Sequence, residues 1–115
     1  MKPDDLGLMV GTLDLLVLRT LAWGPRHGFA IARWLRATSD EAILVEDRAL
    51  YLALHRLEER GLVESEWGLS ENNRRARFYQ LTRVGRKQLQ AREEHWTRYV
   101  AAVSKILRST DSQPA

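Results

Sequence analysis

The residues best suited to chemistry in this sequence are arginines concentrated in its second half. Between residues 74 and 92 the chain carries six arginines, one lysine and no acid, whereas the charged residues between 40 and 66 are mostly acidic. Guanidinium groups donate paired hydrogen bonds to phosphate oxygens. The net charge of +3 alone indicates little, but a basic block within a mixed chain predicts a surface for nucleic acid.

Part of this block lies in a polar loop between two short segments of extended pattern. Residues 63–67 alternate in polarity, and residues 76–81 form a second extended run, so the two predict a β-hairpin around the loop. Asn tolerates the positive φ of a tight turn. The candidate phosphate-binding residues are Asn73, Arg74, Arg75 and Arg77; the alternative is a solvated loop with an ordinary arginine content.

A second set of candidates lies on the helix predicted before this hairpin. Leu50, Leu54 and Leu57 recur at helical spacing and predict an inner face, with Gly61 ending the helix. The outer face would reach the edges of bases in a major groove, where arginine pairs with guanine. Its residues are Arg48, Tyr51, Leu52, His55 and Arg56; the alternative is an ordinary amphipathic helix with a solvated face.

The elements that must position these residues form one domain, mainly α with a small β-hairpin. Three short helices followed by a hairpin predict a winged helix-turn-helix over residues 11–81, in which the third helix enters the groove and the hairpin is the wing. Residues 1–10 are predicted to be an N-terminal arm, and residues 109–115 a disordered tail. Thr12, Asp47 and Thr82 are predicted to cap the first, third and last helices.

The last helix, residues 82–108, is predicted to be a dimerisation helix. Leu89, Trp96 and Val103 are seven residues apart, which is typical of a coiled-coil seam. A helix this long has nothing in its own small domain to cover its far end, so a second copy is expected there. The predicted interface comprises Leu89, Trp96, Tyr99, Val100, Val103, Ile106 and Leu107.

Residues 11–18, 27–31, 49–63 and 77–85, in this order, resemble the PadR family of transcriptional regulators, in the smaller subgroup with a single C-terminal helix. The resemblance implies a homodimeric repressor that binds an inverted repeat in double-stranded DNA. Two departures, Phe29 after His-Gly and Arg48-Ala49 with Leu52 in the third helix, imply a different operator sequence.

The resemblance also implies a small aromatic effector, because some PadR-like dimers hold flat ligands between tryptophans of this helix. Trp96 is the candidate ligand-binding residue, and its stacking face would supply the affinity. The alternative is that Trp96 packs in the dimer seam. Trp23, Trp34 and Trp67 are predicted to be packing residues.

Several function classes are not expected from this sequence. There is no cysteine, the three histidines lack metal-ligand spacing, and no nucleophile elbow or phosphate loop is present, so neither an enzyme nor a cofactor is predicted. No apolar run approaches the roughly 20 residues that span a bilayer, and a cytoplasmic protein without membrane contact is expected. The alternative function is a winged-helix protein-interaction adaptor that does not bind DNA.

Overall fold

The structure is a computed structural model that describes residues 11–110. It contains four helices and three strands in the order α1 (Thr12–Thr20), β1 (Arg26–His27), α2 (Gly28–Thr38), α3 (Asp47–Glu59), β2 (Val63–Leu69), β3 (Arg75–Leu81) and α4 (Arg83–Arg108). The predicted fold class, a mainly helical winged helix-turn-helix with a C-terminal helix, is confirmed. The predicted arm and most of the predicted tail lie outside the described residues.

The hairpin belongs to a three-stranded antiparallel sheet with strand order β1-β3-β2. In the hairpin Val63 pairs with Leu81 and Trp67 with Arg77, while β1 adds His27 opposite Phe78. The sequence predicted only two strands. Two residues are too few to show the period-two alternation that marks a strand, so β1 was missed.

The core is formed mainly by aliphatic side chains from all four helices and both hairpin strands. Burying such side chains is worth about 25 cal/mol per Å² of apolar surface, and here it joins the helices to the wing as one body. The fully buried members with the largest side chains are Leu18 and Leu21 of the α1 region, Ile31 of α2, Leu54 and Leu57 of α3, and Val17 and Val63.

Leu89 also lies in this core, with 7% of its surface exposed. Its heptad spacing from Trp96 predicts a position in the dimer interface. The assignment is corrected because the first turns of α4 pack against α1 and β3 of the same chain. A seam between two copies can therefore begin only further along the helix.

The start of α4 is fixed to the turn that follows α3. The Thr82 hydroxyl accepts a hydrogen bond from Gly85 N (3.0 Å) and donates one to the carbonyl oxygen of Gly61 (2.6 Å), which confirms the predicted cap. Thr82 N donates to Leu62 O (3.1 Å), and Gly85 packs directly on that carbonyl. This close approach requires a residue without a side chain at position 85.

The caps predicted at Thr12 and Asp47 are wrong by one residue. Gly11 and Glu46 hold the cap positions, and Thr12 and Asp47 are already helical. Gly11 has a φ of 88°, a left-handed conformation that glycine adopts at little cost. No helix in residues 11–110 is long and apolar enough to cross a membrane.

Candidate nucleic-acid interface

The outer face of α3 is exposed beside the wing, opposite the buried leucines of the same helix. Tyr51 and Leu52 are large side chains left open to solvent there, and Arg48 and His55 are exposed with them. This face and β3 border one cleft of about 560 Å³, lined among others by Tyr51, His55 and Arg77. The structure therefore brings three of the helix candidates, Tyr51, Leu52 and His55, next to one candidate of the hairpin, Arg77.

Arg56 is placed elsewhere than predicted. Its Nη2 donates to the Oδ1 of Asp14 at 2.8 Å, and Asp14 is a nearly buried residue of α1. A half-buried ion pair of this kind links α3 to α1. Arg56 is therefore removed from the set of groove-facing residues, because this ion pair holds its guanidinium towards α1.

The acidic end of α3 limits the basic surface on the cleft side. His55 Nε2 lies 2.6 Å from Glu59 Oε1, one turn further along the helix, and both side chains are exposed. Glu58 follows the same side of the helix and lines the cleft with Glu59. Positive charge is thus concentrated on the wing, because Arg48 at the start of α3 follows two exposed acids, Glu46 and Asp47.

The tip of the wing is a tight turn between β2 and β3. Ser70 N donates to Arg74 O (2.9 Å) and Asn73 N donates to Ser70 O (2.8 Å). Asn73 has a φ of 60°, the left-handed conformation expected of asparagine in this turn. The turn leaves Arg74 exposed at the end of the hairpin, which is the position predicted for a phosphate-binding residue.

Arg75 and Arg77 lie on the same face of β3 and both cover Trp67. Their guanidinium carbons are 4.6 and 5.9 Å from the centre of the indole ring. Arg77 is also held by the protein: its Nε donates to Ser65 Oγ (2.7 Å) and its Nη2 lies 3.5 Å from a carboxylate oxygen of Glu58. Arg74 and Arg75 are therefore the more available cations of the wing.

Trp67 was predicted to be a packing residue, but 56% of its surface is exposed. Its ring lies on the outer half of the hairpin, beyond the reach of the core. The period-two pattern that places it on one face with Val63 and Ser65 was visible in the sequence. Trp23 is likewise exposed and contacts Trp34 at a ring distance of 5.6 Å.

Trp96 lines an open cavity of about 490 Å³ between α4 and the start of α1. Tyr99 is the aromatic neighbour of Trp96, with ring centres 6.4 Å apart. Leu15 of α1 and His95 of α4 also line the cavity. Two aromatic faces at an open, largely apolar cavity can hold a flat ring by stacking.

Comparison with known proteins agrees with this geometry. The model of the Transcriptional regulator PadR-like family matches residues 17–91. A transcriptional regulator from Clostridium thermocellum is 28% identical, with a TM-score of 0.77 over 85% of this chain and 95% of that chain. A PadR family transcriptional regulator from Eggerthella lenta is 32% identical, with a TM-score of 0.72 over 87% of this chain and 85% of that chain.

A PadR family transcription regulator from Clostridium difficile is 26% identical, with a TM-score of 0.74 over 84% of this chain and 99% of that chain. The matched residues run from α1 through α2, α3 and the hairpin into the first turns of α4. They include all the residues that line the cleft between α3 and β3. The chain therefore belongs to the PadR-like family of transcriptional regulators.

Proposed function

We propose that this protein is a sequence-specific DNA-binding repressor that acts as a homodimer on an inverted repeat. The observation that carries the proposal is that the exposed face of α3 lies beside a wing whose tip arginines, Arg74 and Arg75, are exposed. Such a surface matches a duplex, because a helix fits the major groove while adjacent cations meet the phosphates.

The two elements have different roles in this proposal. Arg48, Tyr51, Leu52 and His55 on α3 read base edges, and Arg48 can pair with guanine through two hydrogen bonds. Asn73, Arg74 and Arg75 at the wing contact phosphates and set the position of the domain, without reading sequence. Arg77 has a smaller share, because Glu58 and Ser65 already occupy its guanidinium.

The second copy would pair along α4, on the apolar surface that the domain leaves open. Ile106 and Leu107 are 71% and 78% exposed, and they continue a row of apolar residues that begins at Trp96. Covering this row with a second α4 removes apolar surface from water. The proposed interface comprises Trp96, Tyr99, Val100, Val103, Ile106 and Leu107. Two-fold pairing would place the recognition helices on successive major grooves, about 34–36 Å apart.

The roles of the wing and of α3 can be separated by salt dependence. Each phosphate contact contributes about 0.9 to the slope of log K against log salt, so Arg74→Ala with Arg75→Ala should flatten the slope by about 1.8. Affinity should fall alike for all sequences. Arg48→Ala should instead cost about 1–3 kcal/mol of discrimination between related sites. Binding isotherms at several salt concentrations measure both effects.

The control is Arg36→Ala, which removes an exposed arginine that pairs with Glu41 at the end of α2. Its slope should equal that of the wild type. Equal slopes for the control and the double variant would remove the wing from the DNA interface. A wild type that binds no duplex in a salt-dependent manner would instead favour a protein-interaction adaptor.

We also propose that a small aromatic effector binds at Trp96 and releases the DNA. The support is the aromatic cavity between α4 and α1, because a ligand there can change the angle of the two copies. An effector shifts the equilibrium between the DNA-binding form and the released form of the dimer only by its difference in affinity for these two forms. A coupling of about 1–3 kcal/mol would weaken operator binding roughly 5- to 150-fold.

Tryptophan quenching by planar dyes and phenolic compounds tests the effector proposal. Trp96→Leu keeps the site apolar but removes the stacking face, so quenching should disappear in this variant. Trp23→Leu is the control, because Trp23 is exposed and lies outside the residues that line the cavity; it should retain the effect. Equal quenching in wild type and Trp96→Leu would exclude Trp96 as the ligand site and leave it as a packing residue.

A further inference from the structure

The tip of the wing carries one acid, Glu71, among residues expected to face phosphates. Both of its carboxylate oxygens lie close to side chains of α2 and of its N-cap residue. Oε2 is 3.5 Å from His27 Nε2, and Oε1 is 4.0 Å from Arg33 Nη1. A backbone hydrogen bond and then the contact with His27 lower the pKa of Glu71.

His27 is buried, and the structure accounts for both of its ring nitrogens. Nδ1 accepts a hydrogen bond from Ala30 N at 3.1 Å and caps α2. A nitrogen that accepts carries no proton, so in the neutral ring the proton is on Nε2. Nε2 is the nitrogen that points to Glu71. The ring is fixed further by an edge-on contact with Phe78, at 5.3 Å between ring centres.

The contact between His27 and Glu71 holds the tip of the wing as well as the side chain of Glu71. The turn from Ser70 to Arg74 is closed by its own hydrogen bonds, one of them between Ser70 Oγ and Arg74 N (3.3 Å). Because these hydrogen bonds link the two ends of the turn that contains Glu71, a contact that holds Glu71 also affects the direction in which Arg74 leaves the tip. The hairpin is thus anchored at two places, by its strands and by Glu71.

We propose that the contact between His27 and Glu71 is a brace that positions Arg74 and Arg75 for DNA. His27 and Glu71 are positioning residues: they act through the wing arginines and touch no DNA themselves. The proposal rests on the proposed DNA-binding function and adds to it a determinant that lies outside the groove-facing surface. Arg33 supports the same carboxylate from α2.

The direction in which Glu71→Ala changes the affinity for DNA distinguishes the brace from a simple charge effect. Glu71→Ala removes a negative charge near the expected phosphates, so Coulomb attraction alone would strengthen DNA binding. The brace predicts the opposite result, because a wing with more freedom loses more entropy when it binds. Exposed pairs contribute modestly, and we expect affinity for the inverted repeat to fall about two- to fivefold.

Three further variants separate the effect of the brace on DNA affinity from the effect of the α2 cap and from the effect of charge. Glu71→Gln retains an oxygen that can accept from His27 Nε2, so it should restore most of the affinity lost in Glu71→Ala. His27→Asn keeps a good cap for α2 but is too short to reach Glu71, so it should behave as Glu71→Ala. Glu66→Ala is the control, because it removes another exposed glutamate from the same hairpin; it should not lower affinity.

A second readout needs no DNA. Amide hydrogen exchange over residues 70–76 of the free protein should be about two- to fivefold faster in Glu71→Ala and His27→Asn than in wild type, Glu71→Gln or Glu66→Ala. Unchanged exchange in both brace variants, or tighter DNA binding by Glu71→Ala, would overturn the proposal. Absence of DNA binding in the wild type would overturn the proposed function instead, and the exchange rates would still report on the contact.

Discussion

Gly85→Ala should lower the free energy of unfolding by about 3 kcal/mol or more, at the upper end of the costs of overpacking. A methyl group at this position would lie 1.9 Å from the carbonyl oxygen of Leu62. The obstacle is backbone, so relief requires movement of α4 or of the turn after α3. Helix propensity alone predicts that Gly85→Ala raises the free energy of unfolding, since alanine is favoured over glycine in a helix by about 1 kcal/mol.

Thermal unfolding measures this effect directly. A loss of about 3 kcal/mol corresponds to a fall in Tm of roughly 12 °C or more for a domain of this size. Gln88→Ala, at an exposed position of the same helix, is the control and should change stability by less than about 0.5 kcal/mol. An equal or higher Tm for Gly85→Ala would contradict the close contact between α4 and the turn at Leu62.

Val103→Glu should convert the proposed dimer into monomers and weaken binding to an inverted repeat by about 100-fold or more, because the two half-sites would no longer be bound by one linked unit. Each copy would place a carboxylate in an apolar seam, where an unpaired charge is costly. Sedimentation measures the assembly, and a binding isotherm measures the affinity. The variant should remain folded, because Val103 lies beyond the core.

Ala101→Glu is the matched control for the dimer. Ala101 is exposed and lies on nearly the opposite side of α4, since two residues correspond to about 200° of helical rotation. The control should stay dimeric and retain its affinity. A dimer that survives Val103→Glu unchanged would place the interface between copies away from this part of α4.

Elements with strong periodicity could be predicted from the sequence. The leucines of α3 identified its inner face, and the alternation after Gly61 identified the hairpin, because each pattern extends over several turns or strand residues. Thr82 could be recognised as a cap for the same local reason. These features depend on neighbours in the chain, which a sequence shows directly.

The errors concern contacts between distant parts of the chain. Arg56 looks like an outer residue of α3 until α1 brings Asp14 against it. Leu89 fits a heptad until the core of the same domain covers it. The contact of His27 with Glu71 joins residues far apart in the sequence. None of these three contacts can be read from a periodic pattern in the sequence, because each depends on how the helices and the wing pack.

The central claim is that the exposed face of α3 and the wing together recognise a specific duplex. The most direct test compares the affinity of the wild-type protein for an inverted repeat, selected from random duplexes, with its affinity for a scrambled duplex of equal composition. We expect the selected repeat to bind roughly 10³-fold tighter or more at physiological salt, with affinity falling steeply as salt rises. Equal affinity for the two duplexes would contradict the claim.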